Sequence, residues 1–383
     1  MKFGFYCNWG LVNYNDSYYI PSVHKKYLDV AKALFGEVIL ICSVRNSIPP
    51  SGFDRIIAGQ FTIIELPYFN SYASAIPHFF SIAKAFWKTA YKLDFIYVRT
   101  PEPFSWLLRI FNRKGRVNYH FASNPLDVIL KDDRLAKPKR YLKFIAFYPE
   151  YILICFAAYF GTATSNGASV ITHVPFFLKK KMKVLYESTI FAEEFLTKCY
   201  REIAVEDKIK FLTVSRLQPG KGLHLLLDAF ASLVSSLRLD LSWELTIAGD
   251  GPMTNELKEY AVSLNLDKRV NFVGFIPNGL ELDNLYSAHD VCIMPSLSET
   301  GPRVIIEAMK ESNFCIASNV GYVSELLGEN RGLVIPPGNP GALKDSIVWV
   351  FNNRNEAAAR AHKGFQFSQK YSIESFFENL MRD

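Results

Sequence analysis

Val291-Cys292-Ile293-Met294-Pro295-Ser296-Leu297-Ser298-Glu299-Thr300-Gly301-Pro302-Arg303-Val304-Ile305-Ile306-Glu307-Ala308-Met309 is the stretch of this 383-residue chain that decides the fold. Four apolar residues in a row, ended by a proline, are too few for a helix and have no polar face, so they read as a strand buried on both sides. Gly301 and Pro302 then shape a helix start, and Val304 to Glu311 has helical spacing. A doubly buried strand leading through a polar loop into a helix is half of a βαβ unit, and it predicts a parallel sheet.

Working outward, the same alternation repeats across the second half. Strands are expected at Lys210 to Ser215, Trp243 to Ala248, Arg269 to Val273, Phe314 to Ser318 and Gly332 to Ile335. Helices are expected at Leu223 to Leu237, Met253 to Asn265, Leu280 to Ala288, Val323 to Leu327 and Pro340 to Phe351. The first half follows suit less cleanly, with strands at Lys2 to Cys7, Glu37 to Cys42, Thr62 to Leu66, Phe95 to Arg99 and Arg116 to Phe121. The expected fold class is α/β, two Rossmann-like doubly wound domains facing across a cleft, where ligands of open α/β sheets bind. The polar stretch Glu187 to Asp207 follows a strand at Lys183 to Tyr186, which places the domains at 1–190 and 191–383, with the last helix free to cross back to the first.

Composition bounds the function. Apolar types make up 49% of the chain and charged types 21%, which excludes disordered and fibrous classes. Residues 1–200 hold 25 Lys+Arg against 14 Asp+Glu, and residues 201–383 hold 18 against 23, so +11 and −5 make the net +6. Different halves with different charge suit different partners. The six cysteines, Cys7, Cys42, Cys155, Cys199, Cys292 and Cys315, form no CxxC pair and read as reduced core residues of a cytoplasmic protein. The apolar start Met1 to Asn8 is too short for a secretory signal. The apolar run Phe144 to Phe160 is interrupted by Pro149 and Glu150, which leaves too little to span a membrane.

Three loops carry chemistry, each after an expected strand. In Val214-Ser215-Arg216-Leu217-Gln218-Pro219-Gly220-Lys221-Gly222, Arg216 and Lys221 flank a turn at a helix N-terminus. Two cations there suit a pyrophosphate, and a solvated turn with two surface cations reads equally from the residues alone. Ala248-Gly249-Asp250-Gly251-Pro252 is either a plain turn or one that approaches a ligand closely through Gly249 and Gly251. Glu299 and Glu307, with seven residues between them, either accept hydrogen bonds from vicinal hydroxyls or serve as a cap and a buried ion-pair partner. Amides near Gly301, Pro302, Arg303 and Val304 add an anion site in the first case.

In this order and spacing, the three loops resemble the retaining GT-B glycosyltransferases of family four, also called glycosyl transferases group 1, over roughly Lys210 to Phe351. The resemblance implies that Arg216 and Lys221 neutralise the diphosphate of a nucleotide-sugar donor, Glu299 holds a donor-sugar hydroxyl, and Glu307 binds the nucleotide ribose. Gly249, Gly251, Gly301, Pro302, Arg303 and Val304 would complete the donor site. His120 matches a family histidine near the donor sugar. The implied activity is metal-independent, retaining hexosyl transfer to a glycan or lipid-linked acceptor in cell-surface polysaccharide, lipopolysaccharide or glycolipid synthesis. The donor is a co-substrate, and no metal or resident cofactor is expected. No Asp-x-Asp pair or His/Cys cluster of metal spacing stands in the chain.

The chain departs from the family at three places: Lys310-Glu311-Ser312-Asn313-Phe314, where a small residue, a Gly and a Pro are common; Leu185 to Ile190, where an Asn-Gly pair is frequent; and Trp9-Gly10, in place of a Gly-rich loop. Arg99 reads as a binder of an acidic acceptor. Basic runs at Lys131 to Lys143 and Lys179 to Lys183 flank the apolar Phe144 to Phe160, so peripheral contact with an anionic membrane at the inner face is expected. Competing readings are a sugar-nucleotide epimerase of the same fold and a non-catalytic nucleotide-sugar-binding partner subunit. Nucleic-acid binding would leave the three loops unexplained, and no Gly-x-Gly-x-x-Gly follows the first strand as an NAD enzyme needs.

Overall fold

The computed structural model describes residues 1–130, 136–201, 208–236, 242–299 and 301–382. Lys131 and Arg134 of the first basic run and Thr300 of the acidic loop lie outside the described residues. The chain divides into two units, one of Met1–Tyr186 with Phe376–Asp383 and the other of Glu187–Ser375. The division falls four residues before the expected one.

The first unit carries β1 (Lys2–Tyr6), β2 (Leu11–Tyr14), β3 (Ser17–Pro21), β4 (Glu37–Asn46), β5 (Phe53–Arg55), β6 (Thr62–Leu66), β7 (Phe95–Thr100), β8 (Arg116–Phe121), β9 (Thr162–Asn166) and β10 (Met182–Leu185). They form one sheet in the order β10-β9-β8-β7-β1-β4-β2-β3-β5, with β6 also paired to β4. From β10 through β4 and β6 the pairs are parallel, as apolar strands such as Val38-Ile39-Leu40-Ile41 require when helices cover both faces. β3 pairs antiparallel with β2 and β5, so this sheet is mixed at its far edge rather than wholly parallel. The β2–β3 hairpin turns at Asn15-Asp16, both with positive φ, a pair of residues whose short polar side chains tolerate that conformation.

The apolar run at Phe144 to Phe160 belongs to a single helix, Lys137–Phe160, which continues through Pro149. This corrects the expected interruption. Glu150 is buried, but both its oxygens are used: Oε1 accepts from Phe104 N at 2.6 Å and Oε2 from Trp106 Nε1 at 3.0 Å. The helix is long and apolar enough to cross a membrane by length and composition, while Phe147, Tyr151, Ile154, Cys155 and Ala158 pack into the core of the first unit. Phe376 and Phe377, on the final helix Ile373–Met381, insert among Phe3, Phe35, Tyr27 and Tyr97 of the same unit.

The second unit carries β11 (Lys208–Val214), β12 (Ser242–Ala248), β13 (Val270–Gly274), β14 (Val291–Met294), β15 (Phe314–Ser318) and β16 (Gly332–Ile335). All are parallel, in the order β13-β12-β11-β14-β15-β16. The chain runs outward from β11 to β13 and then returns to lay β14 against the other side of β11. That reversal leaves a crevice between the loops after β11 and β14. Five of the cysteines are buried free thiols, but Cys199 is exposed rather than in a core.

Candidate active site

The quoted loop after β14 and the loop after β11 flank this crevice. They are bound together by backbone: Leu297 N donates to Gly220 O at 2.8 Å, and a Cβ at Gly222 would stand 2.0 Å from Pro295 O. Gly222 also has φ +69°, so both conformation and space require glycine. Across the crevice, Lys221 Nζ donates to Glu299 Oε1 at 2.5 Å, and Ser296 Oγ donates to the same oxygen at 2.8 Å. Glu299 Oε2 makes no hydrogen bond among the described residues. The pair is half-buried, which leaves it strong enough to orient both side chains yet reachable from solvent. Arg216 is exposed, at the mouth of the same loop, with no acceptor among the described residues. Beyond it the helix Leu223–Ser236 begins, with its N-terminal amides toward the crevice.

Glu307 lies in the helix Arg303–Lys310 and is 8% exposed. Its Oε1 accepts from Thr189 Oγ1 at 2.5 Å and from Asn278 Nδ2 at 3.4 Å, and its Oε2 accepts from the buried Tyr286 OH at 3.2 Å. Among the described residues it has no cation, so it is not the ion-paired carboxylate that one reading expected. A buried carboxylate satisfied by neutral hydroxyl and amide donors is an acceptor cluster of the kind that vicinal hydroxyls complement. Burial, with Glu307 next to it, holds the Tyr286 phenol well above its ordinary range, so that it stays a donor.

The glycines and the helix-start amides also have neighbours of their own. The close approach at Gly249 and Gly251 is to the neighbouring loop: added Cβ atoms would lie 1.8 Å from Ser215 O and 2.2 Å from Leu217 O. The glycines are accounted for by loop-on-loop packing without any ligand. Of the amides near Gly301 and Pro302, Arg303 N donates to Gly301 O and Ile305 N to Pro302 O, so these two are engaged locally. His120 lies in the first unit. On β8 it is 0% exposed, its Nδ1 lies 3.0 Å from Thr164 Oγ1, and its ring stacks on Tyr97 and meets the edge of Phe376. It is buried in the first unit beside Tyr97, Phe376 and Thr164.

Sequence reasoning did not find Thr189, Asn278 and Tyr286, which reach Glu307 from 118, 29 and 21 residues away. Ser296, three residues before Glu299, was within reach of a local reading.

Residues 201–366 match the family of glycosyl transferases group 1. The match covers the second half of the chain and not the first. The group 1 segment contains Arg216, Lys221, Glu299 and Glu307 and leaves His120 outside. An uncharacterised glycosyltransferase of Methanocaldococcus jannaschii is 34% identical over 151 residues, 39% of this chain and 36% of its own. The chain thus spans little more than a third of that relative. An N-acetylgalactosamine-N,N'-diacetylbacillosaminyl-diphospho-undecaprenol 4-alpha-N-acetylgalactosaminyltransferase of Campylobacter jejuni is 25% identical over 278 residues, 70% of this chain and 71% of that protein. HepE of Anabaena, crystallised with UDP and glucose, superposes with a TM-score of 0.68 at 17% identity, over 99% of this chain and 97% of that one. That likeness is one of fold, and it gives this chain the GT-B fold.

Proposed function

We propose that the protein is a retaining, metal-independent glycosyltransferase that moves a hexose from a nucleotide-diphosphate sugar to a glycan or lipid-linked acceptor in cell-surface polysaccharide, lipopolysaccharide or glycolipid synthesis. The observation that carries this reading is the Lys221–Glu299 pair, set across the crevice between β11 and β14 with Arg216 at its mouth. The acceptor oxygen bonds to the anomeric carbon as the bond from that carbon to the diphosphate breaks, and the proton of the acceptor hydroxyl passes to the leaving diphosphate. Negative charge grows on the diphosphate in that step, so fixed cations at Arg216 and Lys221 stabilise the transition state more than the ground state. Glu299 holds the donor-sugar hydroxyl and Glu307 the ribose, whose hydroxyls take the place of the Thr189 hydroxyl and the Asn278 amide. The Campylobacter relative's lipid-linked acceptor and the UDP bound to the Anabaena neighbour agree in kind with this reading. We place the enzyme in the cytoplasm, on the anionic inner face of a membrane, which the exposed Tyr141, Leu142 and Ile145 amid Lys137, Lys139, Arg140 and Lys143 would contact.

Thermal stabilisation by UDP-, GDP-, ADP- and TDP-sugars tests the donor site, because a ligand that binds only the folded state raises Tm by mass action. One nucleotide class is expected to raise the wild-type Tm, with the shift lost in Glu307→Ala and Arg216→Ala. No shift at millimolar ligand would sink the reading. Binding without transfer to any acceptor would move the partner-subunit reading to the front.

A further inference from the structure

Ser81-Ile82-Ala83-Lys84-Ala85-Phe86-Trp87-Lys88-Thr89-Ala90-Tyr91-Lys92 carries two rows of residues at the same helical spacing. Ile82, Phe86 and Ala90 are buried and fix the helix Phe79–Ala90 to the core of the first unit. Lys84, Lys88 and Lys92 form the second row and are exposed, the first two about 6 Å apart along the axis. They line a groove of about 430 Å³, whose wall also includes Ile64 of β6, a strand that pairs only with β4 among the described residues. Ser81 and Thr89 bring two hydroxyls to the same groove. Among the described residues no carboxylate pairs with any of the three lysines, and Glu65, the acid next to Ile64, accepts from Tyr18 instead. Lys88 stands in the last helical turn, where the macrodipole favours a cation, but Lys84 is in the middle of the helix and has no such compensation. Like charges one turn apart repel, so the row costs stability unless an anion lies against it.

We propose that this groove binds a phosphate group, held by the ammonium groups of Lys84, Lys88 and Lys92 with the Ser81 and Thr89 hydroxyls as further donors. A phosphate presents three strong acceptor oxygens and up to two charges, which three point cations and two hydroxyls match. A carboxylate, with one charge on two oxygens, would leave part of the row unanswered. The groove also lies away from the loops where reactions on open α/β sheets take place. Its helix runs back from the end of β6 to the start of β7, and Lys92 comes two residues before Asp94, whose N donates to Lys2 O at the start of β1. Lys92 is therefore at the N-terminal ends of the strands, opposite the ends that bind substrates. Such a site is independent of the glycosyltransferase reading. The phosphate has two sources, a small soluble metabolite or a phospholipid headgroup. Phe80, Trp87 and Tyr91 stand exposed on the side of the helix next to the lysines, where a headgroup layer would meet them and a soluble phosphate would not.

Calorimetric titration with glycerol phosphate and sedimentation with phosphatidylglycerol vesicles, each on the full chain, test this and separate the two sources. Two variants are compared with wild type. Lys84→Gln/Lys88→Gln/Lys92→Gln removes the cations, and Ala85→Leu narrows the groove while keeping them. The lysines are exposed and their repulsion is relieved, so the first variant is expected to melt at or above the wild-type Tm. Affinity for the probe that wild type binds is expected to fall at least about tenfold in both. Glycerol phosphate bound by wild type assigns a soluble phosphate, and vesicles bound without glycerol phosphate assign a headgroup. Neither probe bound by wild type would overturn the inference. So would a smaller fall in the lysine variant, which would put the phosphate elsewhere, at Arg216 and Lys221 for example, or a smaller fall in Ala85→Leu, which would reduce the groove to diffuse attraction.

Discussion

At the scale of single residues, the two carboxyls of greatest consequence differ in how the fold treats them. Glu307 has three donors, so its burial is compensated. Glu102 has one, and burial raises it to about 8 from an ordinary value of 4.5. The folded state therefore holds a proton that the unfolded state has lost, and stability drains away as pH rises from about 4.5 to about 8. Glu102→Gln removes that loss. Its unfolding stability is expected to match wild type near pH 4 and to exceed it at pH 9, by about 1–2 kcal/mol once solvent access is allowed for. Thermal melts across that range check it, and a variant advantage at pH 4 but not at pH 9 would reverse the assignment.

At the scale of elements, the helix that carries Glu307 ends in an ionic cluster where the family commonly has small residues. Lys310 is 2% exposed and donates to Glu194 at 2.6 Å and Asp283 at 2.8 Å, while Glu311 accepts from Lys198 and Ser287, each at 2.5 Å. Burial alone would lower the lysine's pKa, but the bonds to Asp283 and Glu194 outweigh it and raise it. Ser312 follows with φ +67°, the left-handed conformation that glycine takes most easily, and its Oγ accepts from Arg201 N at 3.0 Å. A different set of contacts thus holds the same helix end. Lys310→Ala leaves buried carboxylates without their cation, and a cost of about 3–5 kcal/mol is expected by urea unfolding. A loss below about 1 kcal/mol would show that the cluster is solvated after all.

At the scale of the whole molecule, the basic charge is gathered in the first half, and with it an exposed apolar row. Tyr141 at 61%, Leu142 at 69% and Ile145 at 67% exposure stand on the helix Lys137–Phe160, with Lys139, Arg140 and Lys143 interleaved. Each cation near an anionic surface is worth about 1 kcal/mol. Sedimentation with phosphatidylglycerol vesicles is expected to recover at least about tenfold more protein than with phosphatidylcholine vesicles, with the difference fading in high salt. Equal recovery would remove the membrane from the proposal.

How much of this was legible in the sequence follows from the range of the interactions. Strands such as Val291–Met294, Phe314–Ser318 and Gly332–Ile335 are runs of apolar residues whose period is local, so they could be read directly. The same holds for Lys221, Glu299 and the turn glycines, which sit where a parallel sheet puts its ligand loops. The β2–β3 hairpin was missed although Asn15-Asp16 marked its turn, because Leu11-Val12-Asn13-Tyr14 and Ser17-Tyr18-Tyr19-Ile20-Pro21 mix polar and apolar residues and form no apolar run. The helix through Pro149 was missed because local preference opposed it, and the packing of Tyr151 and Ile154 with the bonds to Glu150 overrode that preference. Sequence by itself determined the alternation of elements and the loops that carry charge, since both depend on neighbours along the chain. Tertiary structure alone decided that His120 is buried, that Thr189 and Tyr286 serve Glu307, and that Glu102 takes the Asn8 amide, because each depends on residues brought together from distant parts of the chain.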